Sequence, residues 1–184
     1  PINEHKVIVL IKESSFTSAP LSSFWDIAPI SETQLAKNFL ESGVEVVGRG
    51  QIRDTISEAV VLGAIKGNTE DIRNIGLKAG ADVVIVGTAI SKLKINKQTG
   101  IKAVQVNISA KAISIDDSFL IAAKSDFAIV KSEYELLAEL EAFNKTSQKL
   151  ADFLLPSLYR YWEKGLQASD QKVTNAPPIP MADM

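Results

Sequence analysis

Few residues in this chain have the type and spacing to do chemistry. There is one histidine, His5, and no cysteine. That composition excludes zinc fingers, thiolate and Cys–His catalysis, iron–sulfur ligation and disulfides. His5 stands near the amino terminus with no carboxylates converging on it, and it reads as an incidental surface residue. No Gly-x-Ser-x-Gly elbow is present for it to serve. Gly43-Val-Glu-Val-Val-Gly48-Arg49 has the glycine spacing of a phosphate-binding loop. Arg49 replaces the lysine, however, and an apolar strand fills the loop. Gly48-Arg-Gly50 opens a helix, but Arg53 stands where a dinucleotide fingerprint needs its third glycine, so a plain strand-to-helix turn is preferred. Asp116-Asp117 could be half of a carboxylate pair, yet adjacent acids between two strands are ordinary turn formers. Glu133, Glu135, Glu139 and Glu141 read as the solvated face of a helix. The expectation is therefore no catalytic residue, no metal, no cofactor and no enzyme. A small-ligand or nucleotide-binding domain is the alternative.

Five residues stand out as candidates for binding a partner. Phe16, Phe24 and Trp25 lie in the long segment between Glu13 and Ile30, which is otherwise rich in serine and proline. Either the segment folds back and buries them as a satellite of the core, or they form a contact patch, where aromatics are enriched. Arg49 and Arg53 sit four residues apart across the start of a helix and can share a face. They could hold an anion or a partner, although pairing with Asp54, Glu58 or Asp82 is the preferred reading.

The elements that would position these residues follow from pattern. The chain has 184 residues, of which 46% are hydrophobic and 23% charged, with Lys+Arg 20 against Asp+Glu 22. That is ample for one globular core, and it lacks the basic excess usual in nucleic-acid binders. Lys6–Lys12 is a short, continuous apolar run of strand type. Ser31 to Gln34 makes a capping box for a helix that Gly43 ends. Val44–Gly48 is a strand, and a second helix is expected from about Gln51 to Leu62. Asn68 caps a third helix with Ile72, Ile75 and Ala79 on its stripe and Gly80 at its end. Asp82–Thr88 is a buried strand that continues towards Ile95, and residues 96–100 form a hairpin loop. On the return strand Val104, Val106, Ile108 and Ala110 alternate with Gln105, Asn107, Ser109 and Lys111, which marks an antiparallel strand with one wet face. The phase slips at Ile113, so a bulge is expected there. A last strand ends near Val130.

Ser132 to Glu135 is a second capping box, before a long helix with Leu136, Leu137, Leu140, Phe143, Leu150, Leu154 and Leu155 on its apolar side. Pro156 should kink or interrupt that helix. The pattern predicts an α/β fold with one mixed sheet. Its first half is of βαβ type, its second half is an antiparallel meander, and its helices lie mainly on one face. Residues 1–164 form the domain, and 165–184 read as a disordered tail or linker. No apolar run approaches the roughly 20 residues of a membrane-spanning helix. The chain begins at Pro1 and not at Met, as expected if a leader or a tag had been removed or the start trimmed, and the first of these points to an exported precursor.

Three stretches carry a family resemblance: the segment from Leu35 through Val46-Val47-Gly48-Arg49, the segment Gly76-Leu-Lys-Ala-Gly80-Ala81-Asp82 with Gly87, and the meander from Val104 to Ile129. Over about residues 6–155 the chain resembles the TolB amino-terminal-domain group of bacterial envelope proteins. That group includes the curli secretion lipoprotein CsgG, the penicillin-binding-protein activator LpoB and the middle domain of the flagellar protein FlgT. The resemblance implies a non-catalytic adaptor or assembly role in secretion, flagellar or cell-wall machinery. It further implies residence in the periplasm or at the periplasmic face of the outer membrane, and a protein partner rather than nucleic acid. It carries over no catalytic residue. Two departures from the pattern are the long aromatic segment after the first strand and the absence of a lipidated cysteine, so association with the outer membrane would need an anchor from outside this sequence.

Overall fold

The computed structural model describes residues 4–19 and 23–174, with side chains described as far as Gly165. In chain order the elements are β1 Lys6–Ser14, α1 Ile30–Glu41, β2 Glu45–Val47, α2 Glu58–Ile65, α3 Thr69–Ala79, β3 Val83–Ile95, β4 Lys102–Ser114, β5 Leu120–Lys131 and α4 Glu135–Thr174. The strands form one sheet in the order β2-β1-β3-β4-β5. β1 pairs in parallel with β2 and β3, whereas β3, β4 and β5 are antiparallel. Parallel neighbours need a crossover, and α1 supplies the first while α2 and α3 supply the second.

β1 lies inside the parallel half, so its residues Val7 to Ile11 are buried on both faces. This is why its sequence is continuously apolar rather than alternating. Val7, Val9, Ile11, Ile85, Val106 and Ile108 face α1 and α4. Ile8, Leu10, Val84 and Val86 face the other way, towards Val61 of α2 and Ile72 and Ile75 of α3. The 40-residue α4 and α1 thus make the main helical layer, and two short helices cover the opposite face at its parallel end. The expected bulge falls between Ala112 and Ile113 of β4.

Two glycines show why these layers can close. Gly76 places α3 so near the sheet that a β-carbon would run into Ile115, with Val84 behind it at 3.2 Å. Gly80 ends α3 at φ 63°, in the left-handed region that glycine enters without penalty.

Several local expectations are corrected. The Ser31 capping box does not form. α1 begins at Ile30 after Pro29 and has no side-chain cap of its own. Its free amides are met instead by a carboxylate from β1: Glu13 accepts from Ile30 N at 3.2 Å and from Ser31 N at 2.8 Å. A distant acid here outcompetes the local hydroxyl. The second helix starts at Glu58, capped by Ser57, and not near Gln51; only a 3-10 turn, Arg49–Gln51, occupies the earlier position. α4 passes through Pro156 without a break. Pro156 is exposed, while Leu154, Leu155, Leu158 and Trp162 on either side are buried. Packing therefore holds both halves of α4 on the sheet despite the missing amide bond. Because α4 continues to Thr174, the segment read as a tail from Gly165 begins as helix; its remainder, 175–184, lies outside the described residues.

Candidate functional site

The five predicted contact residues split between core and surface. Phe24 is 8% exposed and packs in the core on the α2–α3 side. Phe16 is half-buried against the opposite core cluster. Trp25 meets the Phe24 ring edge-on at 5.1 Å. Arg49 reaches under this loop from the 3-10 turn. Its Nη2 donates to Phe24 O at 2.6 Å and its Nη1 to Ile27 O at 3.2 Å, and its guanidinium lies over the Phe24 ring at 4.2 Å. Its Nε stands 3.5 Å from Glu32 Oε1, close enough for an ion pair but without hydrogen-bond geometry. Of the two readings left open for the loop, burial holds for Phe24, and the partner-contact reading is corrected for Phe24 and Arg49, which fasten the loop to the domain; Arg49 pairs with Glu32 rather than with Asp54, Glu58 or Asp82. Arg53 alone is fully at the surface, 3.7 Å from Asp54.

Buried carboxylates complete this fastening. Glu32 Oε2 accepts from Ile11 N at 2.9 Å. Burial pushes its carboxyl up to about 7 against the opposing pull of Arg49 and of the Ile11 amide. The same burial lowers the Arg49 guanidinium, with Glu32 opposing the change. Glu139, read from sequence as solvated, is fully buried. It accepts from the hydroxyls of Ser15, Thr17 and Ser91, and Ser91 Oγ in turn accepts from Phe16 N at 3.0 Å. The helical period around Glu139 holds the missed signal: Ala138 and Ala142 beside it are small, as a crowded face requires.

At the end of the sheet where β1 and β3 begin lies a hollow of about 740 Å³. His5 stacks flat on Trp162 with ring centroids 4.5 Å apart, so it is not incidental. Its Nδ1 is 3.6 Å from Asp82 Oδ2, an oxygen that also accepts from Lys6 N at 2.8 Å. Across the hollow Tyr161 stacks on Phe119 at 5.9 Å, and its hydroxyl meets Ser114 Oγ at 2.8 Å. The Phe119 amide, bonded to Asp117, holds that carboxylate below its usual range, and desolvation raises the Tyr161 phenol. Asp117 is thus the turn former expected from sequence. Among the described residues no hydroxyl is hydrogen-bonded to the His5 ring, and no group of three or more His, Asp or Glu could hold a metal.

The opposite end of the molecule exposes a group of large apolar side chains among charged ones. The first turns of α4 bury Ala138, Glu139 and Ala142 and turn their large side chains outward: Tyr134 is 69% exposed, Leu137 60% and Leu136 58%. This reverses the sequence expectation that Leu136 and Leu137 face the sheet. Ile95 and Ile101, flanking the β3–β4 hairpin loop, are exposed as well. The hairpin is tied to this helix start by Lys102 Nζ, 2.6 Å from Glu135 Oε1, so the two exposed groups are neighbours.

No family model matches the chain, and no curated protein does. Solved structures do. The chain is similar to the lipoprotein GNA1162 from Neisseria meningitidis, at 12% identity and a TM-score of 0.51, covering 87% of this chain and 99% of that one. It is similar also to the hypothetical protein CT253 from Chlamydia trachomatis, at 9% identity and a TM-score of 0.54, covering 84% of this chain and 95% of that one. At such identities the likeness is one of fold: nearly the whole of each of these bacterial proteins, one of them a lipoprotein, has the architecture described above.

Proposed function

We propose that the chain is a non-catalytic accessory protein of the bacterial cell envelope, acting at its periplasmic side through protein contacts. The observation that carries this reading is the apolar end formed by Ile95, Ile101, Tyr134, Leu136 and Leu137. Clustered large apolar side chains left in water are characteristic of surfaces that meet another protein. The fold shared with a Neisseria lipoprotein and the sequence resemblance to the TolB amino-terminal group support the compartment and the adaptor role. Photo-crosslinking from position 137 in the native cells tests the reading, with an equally exposed position on another face, 77, as control. Discrete envelope-protein adducts at 137, absent at 77 and lost in Leu136→Asp, are expected. Equal or no adducts at both positions would sink it.

A second reading, a small-ligand domain, is favoured by the hollow between the His5–Trp162 and Phe119–Tyr161 ring pairs. It predicts ligand-induced chemical shifts at Ser114 and Trp162 in a screen of envelope metabolites, and silence there removes it.

A further inference from the structure

Beyond the cover of α2 and α3, the second face of the sheet is bare from Thr88 of β3 and Lys111 of β4 onward and across β5, and its side chains can be laid out by register. From one end, Lys111 is followed by Thr88, Ser109 and Ser125, with Lys12 of β1 beside Thr88. Next come Ile90, Asn107 and Phe127, then Lys92, Gln105 and Ile129, and last Lys94 and Lys131. Lys12, Lys92, Lys94, Lys111 and Lys131 are all exposed. Among the described residues none of these five has an ion-pair partner; Lys94 bonds only the neutral Gln105, at 2.7 Å. β3, β4 and β5 together carry a single carboxylate, Asp126. It faces the other way and pairs with Lys149 of α4 at 3.7 Å. A chain with a formal charge of -2 therefore concentrates unpaired positive charge on one flat surface.

Between the two lysine groups runs a band of neutral hydrogen-bonding side chains, with the exposed Ile90 and Ile129 set into it. Ser109 and Ser125 share a bond at 2.7 Å, and Gln105 donates to Asn107 at 3.1 Å. Phe127 stands at the edge of the band, half exposed, and a shallow hollow of about 290 Å³ opens beside Thr88, Ser109 and Ser125. The face spans nine residues of β4, from Ala103 to Lys111, and eight steps of about 3.4 Å make roughly 27 Å.

We infer that this face binds an anionic polysaccharide laid along the strands. The lysines answer its carboxylates, the hydroxyl and amide band answers its hydroxyls, and Phe127 offers a ring for the apolar face of a sugar. The other anionic occupants fit less well. A protein interface has a continuous apolar core poor in lysine, and here Ile90, Phe127 and Ile129 are separated by Asn107 and Gln105 and flanked by unpaired lysines. A lipid surface would desolvate the hydroxyl and amide band without giving it partners. Single-stranded nucleic acid is held by successive aromatic platforms, and this face has one aromatic ring. The inference is independent of the apolar end that carries the proposed function, since the two surfaces share no residue.

The test uses the full chain and polygalacturonate as the probe, in affinity electrophoresis and calorimetry at low salt. Binding is expected, weakening as salt screens the charges. Lys92→Gln with Lys94→Gln and Lys131→Gln should weaken it at least tenfold, and so should Lys12→Gln with Lys111→Gln, with Tm unchanged because these side chains are exposed and unpaired. Phe127→Ala with Gln105→Ala should weaken it several-fold at unchanged charge. Failure to bind polygalacturonate overturns the inference. So does insensitivity to the neutral substitutions, which would leave a diffuse cationic patch, or tighter binding to phosphatidylglycerol vesicles, an acidic polypeptide or a single-stranded oligonucleotide under the same conditions.

Discussion

Replacing Phe24 with alanine decides whether the first loop is core or contact surface. Phe24 is 8% exposed, packs among buried residues of β1, α2 and α3, meets Trp25 edge-on and carries Arg49 above its ring. Emptying a buried phenylalanine site costs about 3–5 kcal/mol. The ring contacts with Trp25 and Arg49, each about 0.5–2 kcal/mol, fall partly inside that figure. The loop around Phe24 can settle into the space, so the lower part of the range is expected, about 3 kcal/mol. For a chain of this length that corresponds to a fall in Tm of roughly 6–12 °C. Urea unfolding followed by far-ultraviolet circular dichroism measures it, because the signal does not depend on the neighbouring Trp25. Phe24→Leu, which keeps most of the volume, should cost less than about 1.5 kcal/mol. A loss below about 1 kcal/mol for Phe24→Ala, with an unchanged denaturant slope, would refute the reasoning and return the aromatic loop to the surface.

Three further outcomes are expected. Gly87→Val should destabilise by about 1–3 kcal/mol, because a β-carbon there runs into the Ser109 carbonyl, with Ala110 Cα and Ile11 Cδ1 both at 3.1 Å; the clash is with the neighbouring strand and not with a helix, and a neutral effect in thermal unfolding would show the strands part easily. Glu32 titrates near 7 when folded against an ordinary 4.5, so the folded state holds the extra proton between those values. The stability it contributes is full below about pH 4.5 and is lost as pH rises through 7, by up to about 3 kcal/mol; the stability difference between wild type and Glu32→Gln, measured from pH 4 to 8, should carry that slope, and a flat difference would contradict the burial argument. Glu139→Ala leaves the Ser15, Thr17 and Ser91 hydroxyls without their shared acceptor, so a loss of about 2–3 kcal/mol and faster hydrogen exchange at the Phe16 and Thr17 amides are expected; unchanged protection there would mean the loop is held by other contacts.

What could be read in advance was whatever depends on near neighbours in the chain. The continuous apolar run of β1, the alternation along β4, the slip at Ile113 and the Asn68 and Gly80 helix ends are all set within a few residues, and all are found. Hidden features depend on partners far away in sequence. Glu13 caps α1 from another element, and Glu139 owes its burial to hydroxyls on β3 and on the loop after β1. His5 owes its place to Trp162, at the far end of α4. Amphipathic counting pointed Leu136 and Leu137 inward because hydrophobicity was weighed without size; the sheet surface beneath the start of α4 has room only for Ala138 and Ala142 beside the bonded Glu139. The lysine face was half visible: alternation marked Gln105, Asn107, Ser109 and Lys111 as one wet row. Gathering Lys12, Lys92, Lys94 and Lys131 around that row required the register of four strands.

The long C-terminal helix also sets a timetable. Val7, Val9 and Ile11 wait on the side of β1 that Leu150, Leu154, Leu158 and Trp162 eventually cover. The bonds that seal this layer join Ser15 to Glu139 across 124 residues and Ser42 to Tyr159 across 117. A chain emerging from the ribosome therefore carries an open apolar sheet until α4 has been made. Long-range closures of this kind are slow to form. Until α4 is made, the apolar side of β1 lacks this cover and is open to capture by a chaperone.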